Sequence, residues 1–353
     1  MKDCFNVGVI GTSFGKLAHI PAFQKNSYAS IGALCGRNLE NTEEVARNFE
    51  IPKIYTDYKE LLENDEIDIV TVAVPPRLHC SIVLNALQKK KHVLCEKPFG
   101  VGVKEAREMA SSASDAGVKH WVSHQMRFHR NFMTVKNIIA SGDIGRVLHV
   151  NLSYSTSNRL DPIVPWDWWS DSRQGGGQLN AIGSHMIDLL RWWIGDIVCV
   201  SGHLLTAHKK RVDVAVNEMK HVTSDEVANF SLSFANGALG FCVLSSVAAG
   251  WKGFSIQIYG EKGALFVEGE DKLVMFRKTT ATHDLSFIDP LLSEGWISGS
   301  IWRASFKRMT DALLENLKND NFFDGANFFD GVKNSQVIEA IRLSHEEGRK
   351  IKC

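Results

Sequence analysis

The chain has 353 residues, 44% of them hydrophobic, which suggests about two domains and enough apolar content for one or two well-filled cores. Lys+Arg and Asp+Glu both total 40, so the charge balance gives no electrostatic reason to expect nucleic acid or an acidic membrane as partner. Seven scattered cysteines with no Cys-x-x-Cys pair, no signal-like N-terminus and no apolar run long enough to span a bilayer lead to the expectation of a soluble, cytoplasmic protein with free thiols.

In chain order, Phe5–Ile10 reads as a buried strand and Gly15–Gln24 as the helix after it. Ile31–Cys35 is the second strand. Glu43–Phe49 has helical spacing, with Asn41 or Thr42 as its cap. Asp57–Glu63 is a short helix, and Asp68–Val74 a strand stopped by Pro75-Pro76. Helix Leu78–Gln88, strand His92–Cys95, helix Lys104–Ala116 and strand Val118–Ser123 continue the alternation. Repeated βα units of this kind predict an α/β fold, with an N-terminal Rossmann doubly wound parallel sheet. The pattern changes near residue 122, so the expected domains are 1–122 and 123–353. Asn131–Ser141 is helical, Val147–Tyr154 is a strand, and a Trp- and Pro-containing stretch covers Asn158–Gln174. Leu179–Trp193 is helical by the spacing of Met186, Leu189, Leu190 and Trp193. Strand-like runs follow at Val227–Phe234, Leu239–Val247, Phe254–Tyr259, Ala264–Val267 and Leu273–Phe276, separated by turns such as Asn236-Gly237 that imply antiparallel pairing. Helices Ser305–Lys318 and Val332–Glu347 close the chain.

Gly8-Val9-Ile10-Gly11-Thr12-Ser13-Phe14-Gly15 lies where a strand turns into a helix. A dinucleotide site needs small residues there, so that backbone can approach a pyrophosphate at a helix N-terminus. Against G-x-G-x-x-G, Ser13 replaces the second glycine and Lys16 holds the third position. Alone this is also what an ordinary βα turn looks like; its place at the head of a series of βα units points to a nucleotide. After the second strand the run is Cys35-Gly36-Arg37-Asn38, without the acid that grips the NAD ribose. A guanidinium would grip a 2′-phosphate, so Arg37 makes NADP the preferred cofactor, with NAD the alternative if Arg37 is only a solvated loop residue.

Cys95-Glu96-Lys97-Pro98-Phe99 resembles the Glu-Lys-Pro hallmark of the Gfo/Idh/MocA oxidoreductases, the glucose–fructose oxidoreductase / inositol dehydrogenase / rhizopine-catabolism family. Val74-Pro75-Pro76-Arg77-Leu78-His79 is similar to that family's T-P-x-x-x-H segment, with Val74 in the Thr position. Gly175-Gly176-Gly177-Gln178-Leu179 and Gly183-Ser184-His185-Met186-Ile187-Asp188 resemble its G-G-G-x-L…G-x-H-x-x-D segment, and Ile338-Glu339-Ala340 with Ser344, Glu347 and Gly348 its closing helix. The resemblance implies a C-terminal α/β domain with a large open, mostly antiparallel sheet that often serves as an oligomer interface. It implies hydride transfer between nicotinamide and a secondary alcohol or carbonyl of a sugar or polyol. Lys97 and His185 would be the catalytic pair. Gly11, Thr12, Ser13, Phe14, Gly15, Arg37, Val74, Pro75, His79, Glu96 and Lys97 would line the cofactor, and Pro98 would carry a cis peptide. Two departures stand out. Ala181 occupies the position, four before His185, where many members carry an Asp, and Trp166-Asp167-Trp168-Trp169 lacks the Arg of a Trp-Arg pair. Either His185 with Lys97 suffices, or Asn180, Asp188 or another group takes over from the missing acid.

Removing a hydroxyl proton as hydride leaves needs a base, and a desolvated lysine or a histidine suits that task near neutral pH. Arg127 would hold a substrate group or make an interdomain salt bridge. Trp168, with Trp166 and Trp169, would face a sugar ring or pack an interface. Asp188 would orient His185 or serve the helix itself. No Cys/His spacing fits a metal, so none is expected. The apolar excess in Val227–Phe276 predicts a homodimer or homotetramer. The leading expectation is an NAD(P)-dependent dehydrogenase/reductase of sugars or polyols. Its rivals are a cofactor-binding regulator without turnover, kept open by Ala181, and a C=C or C=N reductase.

Overall fold

The computed structural model describes residues 4–250, 253–269, 271–277 and 282–353. The chain forms two compact units, one made of the described part of Met1–Phe128 with Leu291–Lys333, the other of His129–Pro290 with Asn334–Cys353. This differs from a single division after residue 122 in that a late segment returns to the first unit.

In the first unit, strands β1 (Phe5–Ile10), β2 (Ala29–Cys35), β3 (Lys53–Tyr55), β4 (Ile69–Val72), β5 (His92–Cys95) and β6 (His120–Val122) form one sheet in the order β3-β2-β1-β4-β5-β6. All its pairings are parallel. Helices α1 (Ile20–Gln24), α2 (Leu39–Asn48), α3 (Tyr58–Leu62), α4 (His79–Gln88) and α5 (Val103–Ala116) make the connections. The central strands are mostly apolar, as a parallel sheet buried on both faces requires, and every residue of β4 is buried. The cap expected at Asn41 or Thr42 is Asn38, whose side chain accepts from the Asn41 N–H. Thr42 is used inside the first turn instead, its hydroxyl donating to the Asn38 carbonyl at 2.6 Å. The short β3 escaped sequence reading because three residues, Lys53-Ile54-Tyr55, are too few to show a period.

In the second unit, α6 (Arg130–Ser141) and α7 (Ser184–Ile194) accompany β7 (Val147–Ser155), β8 (Ile197–Leu205), β9 (Lys210–Asp213), β10 (Glu218–His221), β11 (Val227–Phe234), β12 (Leu239–Ser245), β13 (Gly253–Gly260), β14 (Gly263–Glu268), β15 (Lys272–Arg277), β16 (His283–Asp284) and β17 (Ile351–Lys352). Nine of these strands form a sheet in the order β16-β15-β14-β13-β7-β12-β11-β8-β17, and β9 and β10 make a separate hairpin. Among the described residues only the β7–β12 pair of the large sheet is parallel. Burial alternates along β11 and β12, as period-2 side chains on a sheet with one covered face require. Phe132 of α6 meets Trp193 of α7 and Phe254 of β13 edge-on on the covered face. On the other face Leu239, Phe241 and Val243 are each close to half exposed.

Helices α8 (Ile301–Asn319) and α9 (Phe328–Glu347) replace the shorter spans expected near the C-terminus. Phe306, Met309, Leu313 and Leu314 of α8 join Val7, Val9, Ala18 and Phe23 in one core, which is why this segment belongs to the first unit. Among the described residues no helix is long and apolar enough to cross a membrane.

Candidate active site

The turn after β1 is built on Gly11, at φ +117. A Cβ there would lie 2.1 Å from the Ala73 carbonyl oxygen, so only glycine fits, and the Gly11 N–H donates to the Cys35 carbonyl. Ser13 is not among the residues at positive φ, which is why a side chain is tolerated in the second glycine position. Close approach of helix to strand is supplied by Gly15, whose added Cβ would stand 3.1 Å from Val9, and Lys16 is relieved of that role. The helix opens as a π-helical turn, Gly15–His19, with no side-chain cap. Thr12 accepts from Asn41 Nδ2 at 2.8 Å, and the Phe14 ring packs edge-on against His19 and Phe306. A glycine cradle with uncapped helical amides fits the pyrophosphate of a dinucleotide.

At the end of β2, Gly36 is buried against this turn; a Cβ would come within 2.6 Å of Thr12 Cγ2. Arg37 follows, exposed. Burial, with Asp57 and Glu60 adding to it, pushes the Cys35 thiol up to about 12, so this thiol is inert.

The Glu-Lys-Pro segment leaves the end of β5. The Glu96 N–H donates to the Val72 carbonyl, and its carboxylate is buried. Glu96 Oε1 lies 3.1 Å from His19 Nε2, and Oε2 accepts the Lys97 N–H at 3.2 Å. Burial works to raise the Glu96 carboxyl, but His19, Lys97 and Ser123 outweigh it and hold it below the usual range. Lys97 is partly buried, and desolvation pushes its ammonium below the ordinary lysine range against the opposing pull of Glu96. The Lys97–Pro98 peptide is cis. His79 is fully buried, with Nε2 2.8 Å from the Val74 carbonyl and Nδ1 3.1 Å from that of Pro98. Its ring braces the Val74-Pro75 turn against the Pro98 turn. Arg127, on a 3₁₀ turn, is buried with its guanidinium 3.3 Å from Asp330, an ion pair within its own unit.

The second unit carries the other candidate residues. Gly177 is at φ +104, and a Cβ on Gly176 would stand 2.1 Å from the Trp169 carbonyl. The following helix again opens as a π-helical turn, Leu179–Gly183, before α7. Its N-terminus is closed by Asp225, whose carboxylate accepts the Leu179 N–H at 2.7 Å and whose backbone carbonyl accepts that of Gln178. Burial holds the Asp225 carboxyl above its usual value, against the Leu179 N–H and Arg342. Asn180 is buried and donates to the Gly176 carbonyl, so its amide serves the turn. Ala181 is partly buried, and its N–H donates to the Gly177 carbonyl. His185 and Asp188 are both buried, one helical step apart on α7. Trp168 is about one-third exposed, at 37%, on a short 3₁₀ turn, while Trp169 lies under the Arg159 guanidinium. Arg211, paired with Glu226, donates to the carbonyls of Arg159, Asp161 and Val164 and so pins the Trp-containing stretch.

Sequence reading missed His19, Asp225, Arg211 and Glu226. His19 left one signal, a lone polar residue within the buried run that includes Ala18, Ile20 and Phe23. Asp225 and Glu226 left none, because a polar run before a strand looks like any loop.

Residues 5–124 match the family model for the GFO/IDH/MocA oxidoreductase family with NAD-binding Rossmann fold, and residues 132–266 match a GFO/IDH/MocA C-terminal domain. An uncharacterized oxidoreductase from Synechocystis sp. is 35% identical over 76% of this chain and 72% of its own length. Levoglucosan dehydrogenase from Pseudarthrobacter phenanthrenivorans is 27% identical over 74% of this chain and 72% of its own. The crystal structure of an oxidoreductase domain protein from Kribbella flavida superposes with a TM-score of 0.89 at 28% identity, covering 99% of both chains.

Proposed function

The chain belongs to the Gfo/Idh/MocA family of oxidoreductases with an NAD-binding Rossmann fold, and from that premise we propose that it is an NADP-preferring dehydrogenase/reductase of a secondary alcohol or carbonyl on a sugar or polyol. Lys97 carries the reading. It follows β5 in the Glu-Lys-Pro segment, and its ammonium is lowered toward the range where a lysine exchanges protons with substrate. When bound, the nicotinamide accepts or supplies the hydride. Lys97 takes the hydroxyl proton in oxidation and returns it in reduction, and His185 shares that transfer. Gly11, Thr12, Ser13, Phe14 and Gly15 would hold the pyrophosphate, Val74 and Pro75 would border the adenosine half, and Glu96 the nicotinamide ribose. The exposed Arg37, with no acid at the end of β2, supports NADP through a charge-assisted bond to its 2′-phosphate. The relative named a levoglucosan dehydrogenase supports a sugar-derived substrate.

Arg127, Trp168, Asn180 and Asp188 remain candidates on the substrate side, with Asn180 and Asp188 acting through the backbone and His185 rather than by direct contact. The half-exposed Leu239, Phe241 and Val243 support association through the open sheet into a homodimer or homotetramer. The free thiols of all seven cysteines agree with a reducing, cytoplasmic setting.

The test follows oxidation of NADPH against a panel of sugar and polyol carbonyls, with NADH in parallel. Turnover on at least one member, faster with NADPH, is expected. Ala181 favours a second reading, a cofactor-binding regulator, for which both cofactors titrate and no panel member is reduced.

A further inference from the structure

His19 has no part in the chemistry so far, yet it is fully buried between two aromatic rings, Phe14 and Phe306, on the first helix after the dinucleotide turn. An apolar side chain would fill that space without burying polar nitrogens. Instead Nε2 is 3.1 Å from Glu96 Oε1, while among the described residues no hydrogen-bond partner meets Nδ1. An ionised carboxylate only accepts, so Nε2 must donate. His19 is the last residue of the π-helical turn Gly15–His19. The other carboxylate oxygen, Oε2, accepts the Lys97 N–H.

We propose that His19 is a positioning residue for the reaction: it fixes the Glu96 carboxylate that holds the Lys97 backbone, and so ties the helix of the dinucleotide turn to the proton-transferring lysine. The role rests on the assignment of Lys97 above. Groups that face Glu96 are His19 from the first helix, Lys97 beside it, His79 from α4, Cys95 from β5 and Ser123 after β6. Without His19, the Glu96 carboxylate stays ionised at the pH where Lys97 titrates but loses the donor that fixes it in place. Lys97 then loses part of the pull of a fixed neighbouring negative charge, and its ammonium becomes easier to deprotonate.

The readout needs no substrate. The full chain is labelled with acetic anhydride across a pH series, and acetylation of Lys97 is followed by peptide mass spectrometry, with protection by NADPH as the control for the site. In His19→Leu the midpoint for Lys97 should fall by about one pH unit. His19→Gln, which keeps an N–H at similar reach, should bring it back toward wild type. Glu96→Gln, which preserves shape and removes the charge, should give a downward shift at least as large, and serves if His19→Leu does not fold. A wild-type midpoint, or an upward shift, in folded His19→Leu or in Glu96→Gln overturns the proposal. Undiminished turnover by Lys97→Ala would instead remove the catalytic assignment while the labelling shift persisted.

Discussion

Gly11 and Gly177 both sit at positive φ, and each leads through a π-helical turn to a buried histidine, His19 in one unit and His185 in the other. The backbone problem is the same, because a side chain at Gly11 or at Gly176 would collide with a carbonyl at 2.1 Å. The helix ends differ. The turn at Leu179 is closed by its own protein, with the Asp225 carboxylate on the Leu179 N–H. Neither turn is capped by its own N-cap side chain, and among the described residues no side-chain acceptor meets the N–H groups of the Gly15 turn. A helix N-terminus carries unpaired N–H groups and partial positive charge, and both need an anion or acceptor. Where a buried carboxylate supplies it, the turn is scaffold. Where none does, next to a glycine that lets backbone come close, the turn suits a phosphate.

The sharpest way to break this comparison is at the residue each half would serve. Lys97→Ala should lower kcat by roughly 10²–10⁴-fold, as loss of a positioned acid–base group does, with cofactor affinity changing far less. Because desolvation lowers the Lys97 ammonium, alcohol oxidation by the wild type should rise with pH through a value below 10.5 and level off above it, where the amine is neutral. Steady-state pH profiles check both, and a Lys97→Ala enzyme at wild-type rate removes the assignment.

Asp225→Ala tests the self-closed turn. It strands the Leu179 N–H, so unfolding should become easier by about 1–3 kcal/mol, measured by denaturant titration. NADPH affinity should be unchanged; a large loss of affinity with wild-type stability would reverse the roles of the two turns. At the open turn, Arg37→Ala should weaken NADPH by about 1–3 kcal/mol, roughly 5- to 150-fold, and leave NADH nearly as it was. Fluorescence titration that shows NAD(H) bound tenfold tighter by the wild type would discard the NADP preference. The smallest effect concerns neither turn. Phe241→Glu places a charge among Leu239 and Val243 on the open sheet face. It should release monomers in light scattering and leave the thermal transition of each unit close to wild type. A wild-type chain already monomeric at micromolar concentration would show that this face is not an association surface.

Much of this was legible in the chain. The βα alternation, the parallel sheet, the mostly antiparallel second sheet and the family motifs follow from periodicities of 2 and 3.6 and from residues adjacent in sequence. Gly11 could be read because a strand-to-helix turn next to a ligand has one steric solution. Other parts were illegible for definite reasons. Thr42 lost its expected capping role to Asn38 because its hydroxyl found the Asn38 carbonyl within the first turn. The bracing of two turns by His79, whose ring lies between the Val74 and Pro98 carbonyls, joins residues 19 positions apart and left no local pattern.

The sequence by itself therefore determined what local forces determine: which of the longer segments are helix or strand, where glycine is obligatory, and which reactive side chains the motifs carry. Tertiary structure alone decided which polar groups meet. His19 finds Glu96 across 77 positions of chain, Leu179 finds Asp225 across 46, and α8 returns to complete the core of the first unit. Such pairings leave no period in the sequence, because burial demands a partner for each polar atom without fixing where along the chain that partner must lie.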